Sequence, residues 1–136
     1  MRSTSRLVEL IGGKHQVLVR LRDLGRRQAD LVAAGDTTSL LKLLAVKQQV
    51  IGGLQDLERE LAPYYVEHPE GRIWQSPQQR TQCAQQAAEC NELLGEVLSM
   101  EKSSAERMST RRSEVAEQLQ HVHAANQVRS AYEAHR

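Results

Sequence analysis

A tight corner between two leucine-rich runs constrains the fold of this chain more than any other feature. Residues 31–61 read LVAAGDTTSLLKLLAVKQQVIGGLQDLEREL. Ala34-Gly35-Asp36 interrupts the leucine spacing, which resumes a few residues later. Gly35 suits the left-handed conformation that closes a helix, because it has no Cβ to oppose that conformation. Asp36, Thr37, Thr38 and Ser39 each carry a side-chain oxygen able to accept from the free N–H groups of a following helix. A connection this short makes two consecutive helices lie antiparallel.

Spacing on either side of the corner extends the reading. Ser3, Thr4 and Ser5 offer caps for a first helix over about 4–34, roughly 45 Å long at the helical rise. Leu7, Leu10, Val17, Leu21, Leu24 and Leu31 follow the alternation of a heptad seam, with Ile11, Leu18 and Val32 widening it. Lys14 and Gln28 fall in that seam as polar exceptions, while Arg20, Arg22, Arg26 and Arg27 read as a solvated face. A second helix spans about 38–62 with a seam of Leu40, Leu43 or Leu44, Lys47, Val50, Ile51, Leu54, Leu57 and Leu61. Pro63 is expected to end it, because proline cannot donate to the helical ladder.

The connector 63–76 holds Tyr64, Tyr65 and Trp74, whose rings are expected to cover one end of a bundle. Ser76 then caps a third helix, Pro77 fits its first turn and Gln79 completes a capping box. This helix is expected over 77–130, with a seam of Cys83, Ala87, Cys90, Leu94 and Val97. The interval Ser99–Glu114 is poor in apolar residues, and the seam continues beyond Val97 at Met108, Val115, Leu119, Val122 and Ala125. Such a helix either runs on past the hairpin or breaks near 103–113 into a fourth.

Two Ile-Gly-Gly triplets, at 11–13 and 51–53, lie inside helical patterns. Each glycine costs a helix about 1 kcal/mol relative to alanine. With the corner at residue 36, Gly12 should lie opposite about residue 60, so the two pairs are not expected to face each other. Ile11-Gly12-Gly13-Lys14 lacks the spacing of a phosphate loop.

Composition agrees with an all-α chain of 136 residues folding as a single helical domain over 1–136. With no Phe, one Trp and three Tyr, the core must be built from Leu, Val, Ile, Ala and Met. That favours a coiled-coil-like helical bundle: an antiparallel hairpin plus a long third helix. A formal net charge of +1 argues against a dedicated nucleic-acid binder. No apolar run is long enough for membrane insertion, and the first residues lack a signal-peptide core, so a cytoplasmic location is expected. Cys83 and Cys90 stand two helical turns apart, roughly 10 Å, too far for a bridge within one helix. They read as reduced, buried and metal-free.

No catalytic constellation is evident. There is no Glu-x-x-His pair for a carboxylate-bridged metal, and His121 and His123 point to different sides of a helix. Neither an enzyme nor a cofactor is expected. Val115, Leu119, Val122 and Ala125 do form an apolar stripe at the spacing by which a helix engages a partner.

Leu31 with Ala34-Gly35-Asp36, then Leu40-Leu41, Leu43-Leu44, Lys47-Gln48-Gln49, Ile51, Leu54 and Leu57-Glu58, resembles the FlgN-type flagellar export chaperones. Glu89-Cys90-Asn91-Glu92-Leu93-Leu94 is similar to the start of that family's third helix, and Ser130-Ala131-Tyr132 to its ending. The resemblance implies a cytoplasmic type III export chaperone that binds the amphipathic C-terminal segments of hook-associated proteins at the hook–filament junction. It also implies contact with the export apparatus. Client contacts would fall on Val115, Leu119, Val122, Ala125 and Tyr132. The alternative reading is a structural module that self-associates through its heptads, with a homodimer as the simplest form.

Overall fold

The computed structural model describes residues 4–134, and its regular structure is helical. Helix α1 spans Ser5–Ala34 and α2 spans Thr37–Val66. A short turn of 3-10 helix covers Pro69–Gly71, and α3 spans Pro77–Ala134. Two compact units divide the chain, the first ending at Lys102 and the second beginning at Ser103.

The corner forms as its chemistry dictates. Gly35 adopts φ 70° and ψ 21°, the left-handed region. Its N–H donates to Val32 O at 3.2 Å, and the Asp36 N–H donates to Leu31 O at 3.1 Å. These bonds satisfy carbonyls that the end of α1 would otherwise leave free. Asp36 then caps α2, its carboxylate accepting from the Ser39 N–H at 3.1 Å. The Ser39 hydroxyl, together with that backbone contact, holds the Asp36 carboxyl below its ordinary pKa.

Helices α1 and α2 run antiparallel. Gln28 meets Lys47, Lys14 meets Glu58 and Arg6 meets Glu60, so partners move in opposite directions along the two helices. The first part of α3 runs parallel to α1: Thr4 meets Gln79, His15 meets Glu89, and Gly25 lies against Met100. All three helices feed two apolar clusters. Leu18, Leu21, Val50, Cys90, Leu93 and Val97 form one, and Leu7, Leu10, Ile11, Leu61 and Cys83 the other. Tyr64 and Trp74 pack against the second, so two of the connector's three rings do cover that end of the bundle. Tyr65 stays exposed.

Three expectations are corrected. Pro63 does not end α2, which continues to Val66, so the connector begins at Glu67 rather than 63. The missing proline N–H costs the ladder one bond, but Leu61 is fully buried just before it and Tyr64 packs just after it. Arg72 holds the end in place, donating to Tyr64 O at 2.7 Å and to the Glu67 carboxylate at 2.9 Å. Second, α3 is helical as far as Ala134, four residues beyond the expected 130, and of the two courses left open at 103–113 it takes the unbroken one. Serine and charge lower apolar content there without breaking the backbone ladder, as no proline or glycine intervenes. Third, Leu93 rather than Leu94 is the deeply buried member of the α3 seam. Both lie within one turn of Cys90 and Val97, so seam spacing alone does not choose between them.

The caps also differ in detail. Thr4 precedes α1 but makes no side-chain cap. Its buried hydroxyl instead lies 2.8 Å from Ile73 O and 3.0 Å from Gln79 Oε1, and its single proton serves one of them at a time. Ser76 accepts from the Gln79 N–H at 3.1 Å, as a capping box requires. The Gln79 side chain, however, accepts from Gln75 N–H at 2.9 Å rather than from Ser76. Ser3 lies outside the described residues.

Candidate binding surfaces

The stripe on α3 is open along its length. Val115 is 48% exposed, Leu119 65% and Val122 58%. These residues stand four and three apart, so helical geometry keeps them within about 60° of one face. Met108 falls on the same face two turns earlier and is also exposed. Ala125 is exposed, and Tyr132, at 71%, flanks the stripe. Val128 is equally open and was not singled out from the sequence. It falls off the heptad seam, although it lies near Ala125 and Tyr132 on the helical wheel. The flanking charges on this unit include Arg107, Arg111, Arg112, Glu114 and Glu117.

A second surface lies on the hairpin, where sequence reasoning saw only a solvated arginine face. Two depressions run along the α1/α2 seam. One, of about 270 Å³, is lined by Leu24, Arg27, Ser39, Lys42, Leu43 and Val46. The other, of about 390 Å³, is lined by Gln16, Val17, Arg20, Gln49, Val50 and Gly53. Recurrence of Val17, Arg20, Leu24 and Arg27 at helical spacing, opposite Lys42, Val46 and Gln49, was the available signal.

Buried polar groups elsewhere serve the fold. Lys47, 4% exposed, donates to Gln28 Oε1 at 2.7 Å and pairs with Glu101. Burial pushes its ammonium below the usual lysine pKa. Lys14 behaves oppositely. Burial pulls its pKa down, but the Glu58 carboxylate at 2.6 Å and the Tyr65 hydroxyl at 3.3 Å outweigh burial and raise it. His15 Nε2 lies 2.8 Å from the Glu89 carboxylate, tying α1 to α3.

Cys83 and Cys90 are free thiols, both buried, and burial pushes both up in pKa. A thiol held protonated is a poor nucleophile and a poor metal ligand. Among the described residues no group of His, Cys, Asp and Glu side chains could hold a metal ion. None of the described helices is long and apolar enough to cross a membrane. In comparisons with known proteins, no family model, curated protein or solved structure matches this chain.

Proposed function

We propose that this chain is a non-enzymatic, cytoplasmic chaperone of flagellar type III export, which holds the amphipathic C-terminal segment of a hook-associated protein before secretion. The observation that carries the reading is the exposure of Val115, Leu119 and Val122 on one helical face. An apolar stripe at this spacing is what an amphipathic partner helix needs to dock. The resemblance of the corner and the second helix to FlgN-type chaperones supplies the identity of the partner.

Each of the three side chains contributes about 1.5–3 kcal/mol when fully covered. Ordering a disordered client opposes this by several kcal/mol, so micromolar affinity is expected. Tyr132 and Ala125 extend the surface toward the end of the helix, and Tyr132 offers a ring that can cover apolar client atoms.

The test is calorimetric titration with the C-terminal peptide of a hook-associated protein. Leu119→Asp combined with Val122→Asp should abolish heat of binding while leaving helicity and melting temperature nearly unchanged. Unaltered binding by that variant would place the client elsewhere and sink the reading. Loss of helicity would make those residues supports of the fold rather than client contacts. Self-association through the same stripe would appear as a dimer in sedimentation that the same variant converts to monomer, without any effect of the peptide.

A further inference from the structure

The α1/α2 trough combines three features that nothing inside the first unit explains together. Its floor is apolar, with Val17, Leu24, Val46 and Val50 lining the two depressions. Its rim is basic: Arg20 and Arg27 stand on α1 and Lys42 on α2, and no Asp or Glu is among the lining residues. Elsewhere in this unit Arg6, Lys14, Lys47, Arg59 and Arg72 each engage a carboxylate of the chain itself. The three rim cations have no such partner among the described residues. Asp23, between the two rim arginines in sequence, lies toward Arg22 and Arg26.

The third feature is Gly52-Gly53. Apart from the chain neighbours and the surrounding backbone of α2 itself, nothing lies within 4 Å of where either Cβ would stand, so no close crossing within the chain requires these glycines. Gly53 does line the trough. A missing side chain there leaves room for another backbone to approach α2.

We propose that this trough is a docking surface for an acidic amphipathic helix of a partner protein. Arg20 and Arg27 lie two turns apart on one face, about 10 Å, and so match carboxylates at i and i+7 on the incoming helix. Apolar residues at i+3 and i+4 of that helix fall onto Leu24, Val46 and Val50 between the charges. Lys42 closes the opposite rim, and the incoming backbone passes over Gly53. The surface is distinct from the α3 stripe and does not depend on the proposed export role.

The experiment uses the full chain and a fluorescein-labelled amphipathic peptide with Glu at i and i+7 and Leu at i+3 and i+4. Its twin carries Lys in place of each Glu. Fluorescence anisotropy should show the acidic peptide binding, the lysine twin binding far more weakly, and affinity falling as salt rises. Arg20→Glu with Arg27→Glu should weaken binding about tenfold or more. Gly53→Leu should do the same by filling the trough, with helicity retained in both variants. Leu119→Asp with Val122→Asp should leave this peptide's affinity unchanged, which separates the surface from the α3 stripe.

Equal binding of the two peptides, or acidic-peptide binding that neither trough variant alters, would overturn the proposal. So would binding of phosphatidylglycerol vesicles that is lost in the trough variants while the peptide fails to bind, because the trough would then serve an anionic membrane surface. Conversion of a dimer to a monomer by Gly53→Leu, with no peptide binding, would assign the trough to a second copy of this chain and also overturn it.

Discussion

Gly25 lies directly beneath Met100: a Cβ placed on Gly25 would stand 2.9 Å from the methionine Sδ. This is the tightest glycine position described, and it joins α1 to α3 near one end of the first unit. Alanine at 25 should cost little, since helix propensity favours it by about 1 kcal/mol and the thioether can swing aside. Leucine at 25 should cost about 1–3 kcal/mol from overpacking. Urea unfolding of Gly25→Leu alone and with Met100→Ala checks this. The second substitution should recover part of the loss, and strict additivity would contradict the contact.

The glycines divide into those the fold requires and those it does not. Gly35→Ala should destabilise by about 1–2 kcal/mol, because the residue sits at φ 70°. Gly52→Ala should instead stabilise by about 1 kcal/mol, since its Cβ meets open space in a helix interior. Thermal melts of the two single variants should therefore move in opposite directions.

Pro63 offers a similar gain. Replacing it by Ala restores a donor toward the Arg59 carbonyl in a segment that is already helical. Stability should rise, by at most about 3 kcal/mol, the full cost of an interior proline. If the melting temperature falls instead, the ring has a packing role in holding Tyr64 and Leu61 in place.

The buried lysine gives a prediction in pH. Lys47→Met alone removes the donor to Gln28 Oε1 and should cost about 1–3 kcal/mol. Lys47→Met with Gln28→Leu removes both polar partners, leaves the half-exposed Glu101 free to hydrate, and should be neutral or stabilising by about 1–4 kcal/mol near pH 7. Burial lowers the Lys47 pKa in the folded state below its ordinary 10.5, so the unfolded chain holds that proton more tightly. Wild-type stability relative to the double variant should consequently rise as pH climbs toward 10.5. The two thiols act in the opposite sense. Their pKa values are raised above 9.0 in the folded state, so their contribution is complete below pH 9 and is lost as pH rises beyond it. The thiols are present in both proteins, so the difference between the two urea-unfolding curves isolates Lys47.

Most of the architecture could be read from spacing, because a heptad seam and a short corner leave few ways to bury leucine. The Gly35 turn, the Asp36 and Ser76 caps and the antiparallel hairpin all follow from local chemistry. What escaped was set by tertiary contact. Pro63 is tolerated because Arg72, nine residues further along the chain, supports the helix end beyond it. Gly25 carries no turn signal, and its role depends on Met100 arriving from another helix. Lys47 was legible as a polar residue in a seam, but its pairing with Gln28 and Glu101 needed all three helices. The α3 stripe was visible as a pattern, and its exposure was not, since apolar spacing alone does not tell a buried face from an open one. The basic trough remained hidden because arginines at helical spacing on one helix acquire meaning only from the residues across the seam.

The separation of the core into two clusters has a consequence for how the first unit opens. Between them α1 carries Gly12, Gly13, Lys14 and His15, none fully buried, so at that level α1 supplies no apolar side chain of its own. The Leu7–Leu61–Cys83 end, joined to the Leu18–Val50–Cys90 end through the polar ties of Lys14 to Glu58 and His15 to Glu89, is expected to open at a lower free energy than the latter. Amide hydrogen exchange should accordingly show two protection levels within the single helix α1, with the step falling near Lys14 rather than at a helix terminus.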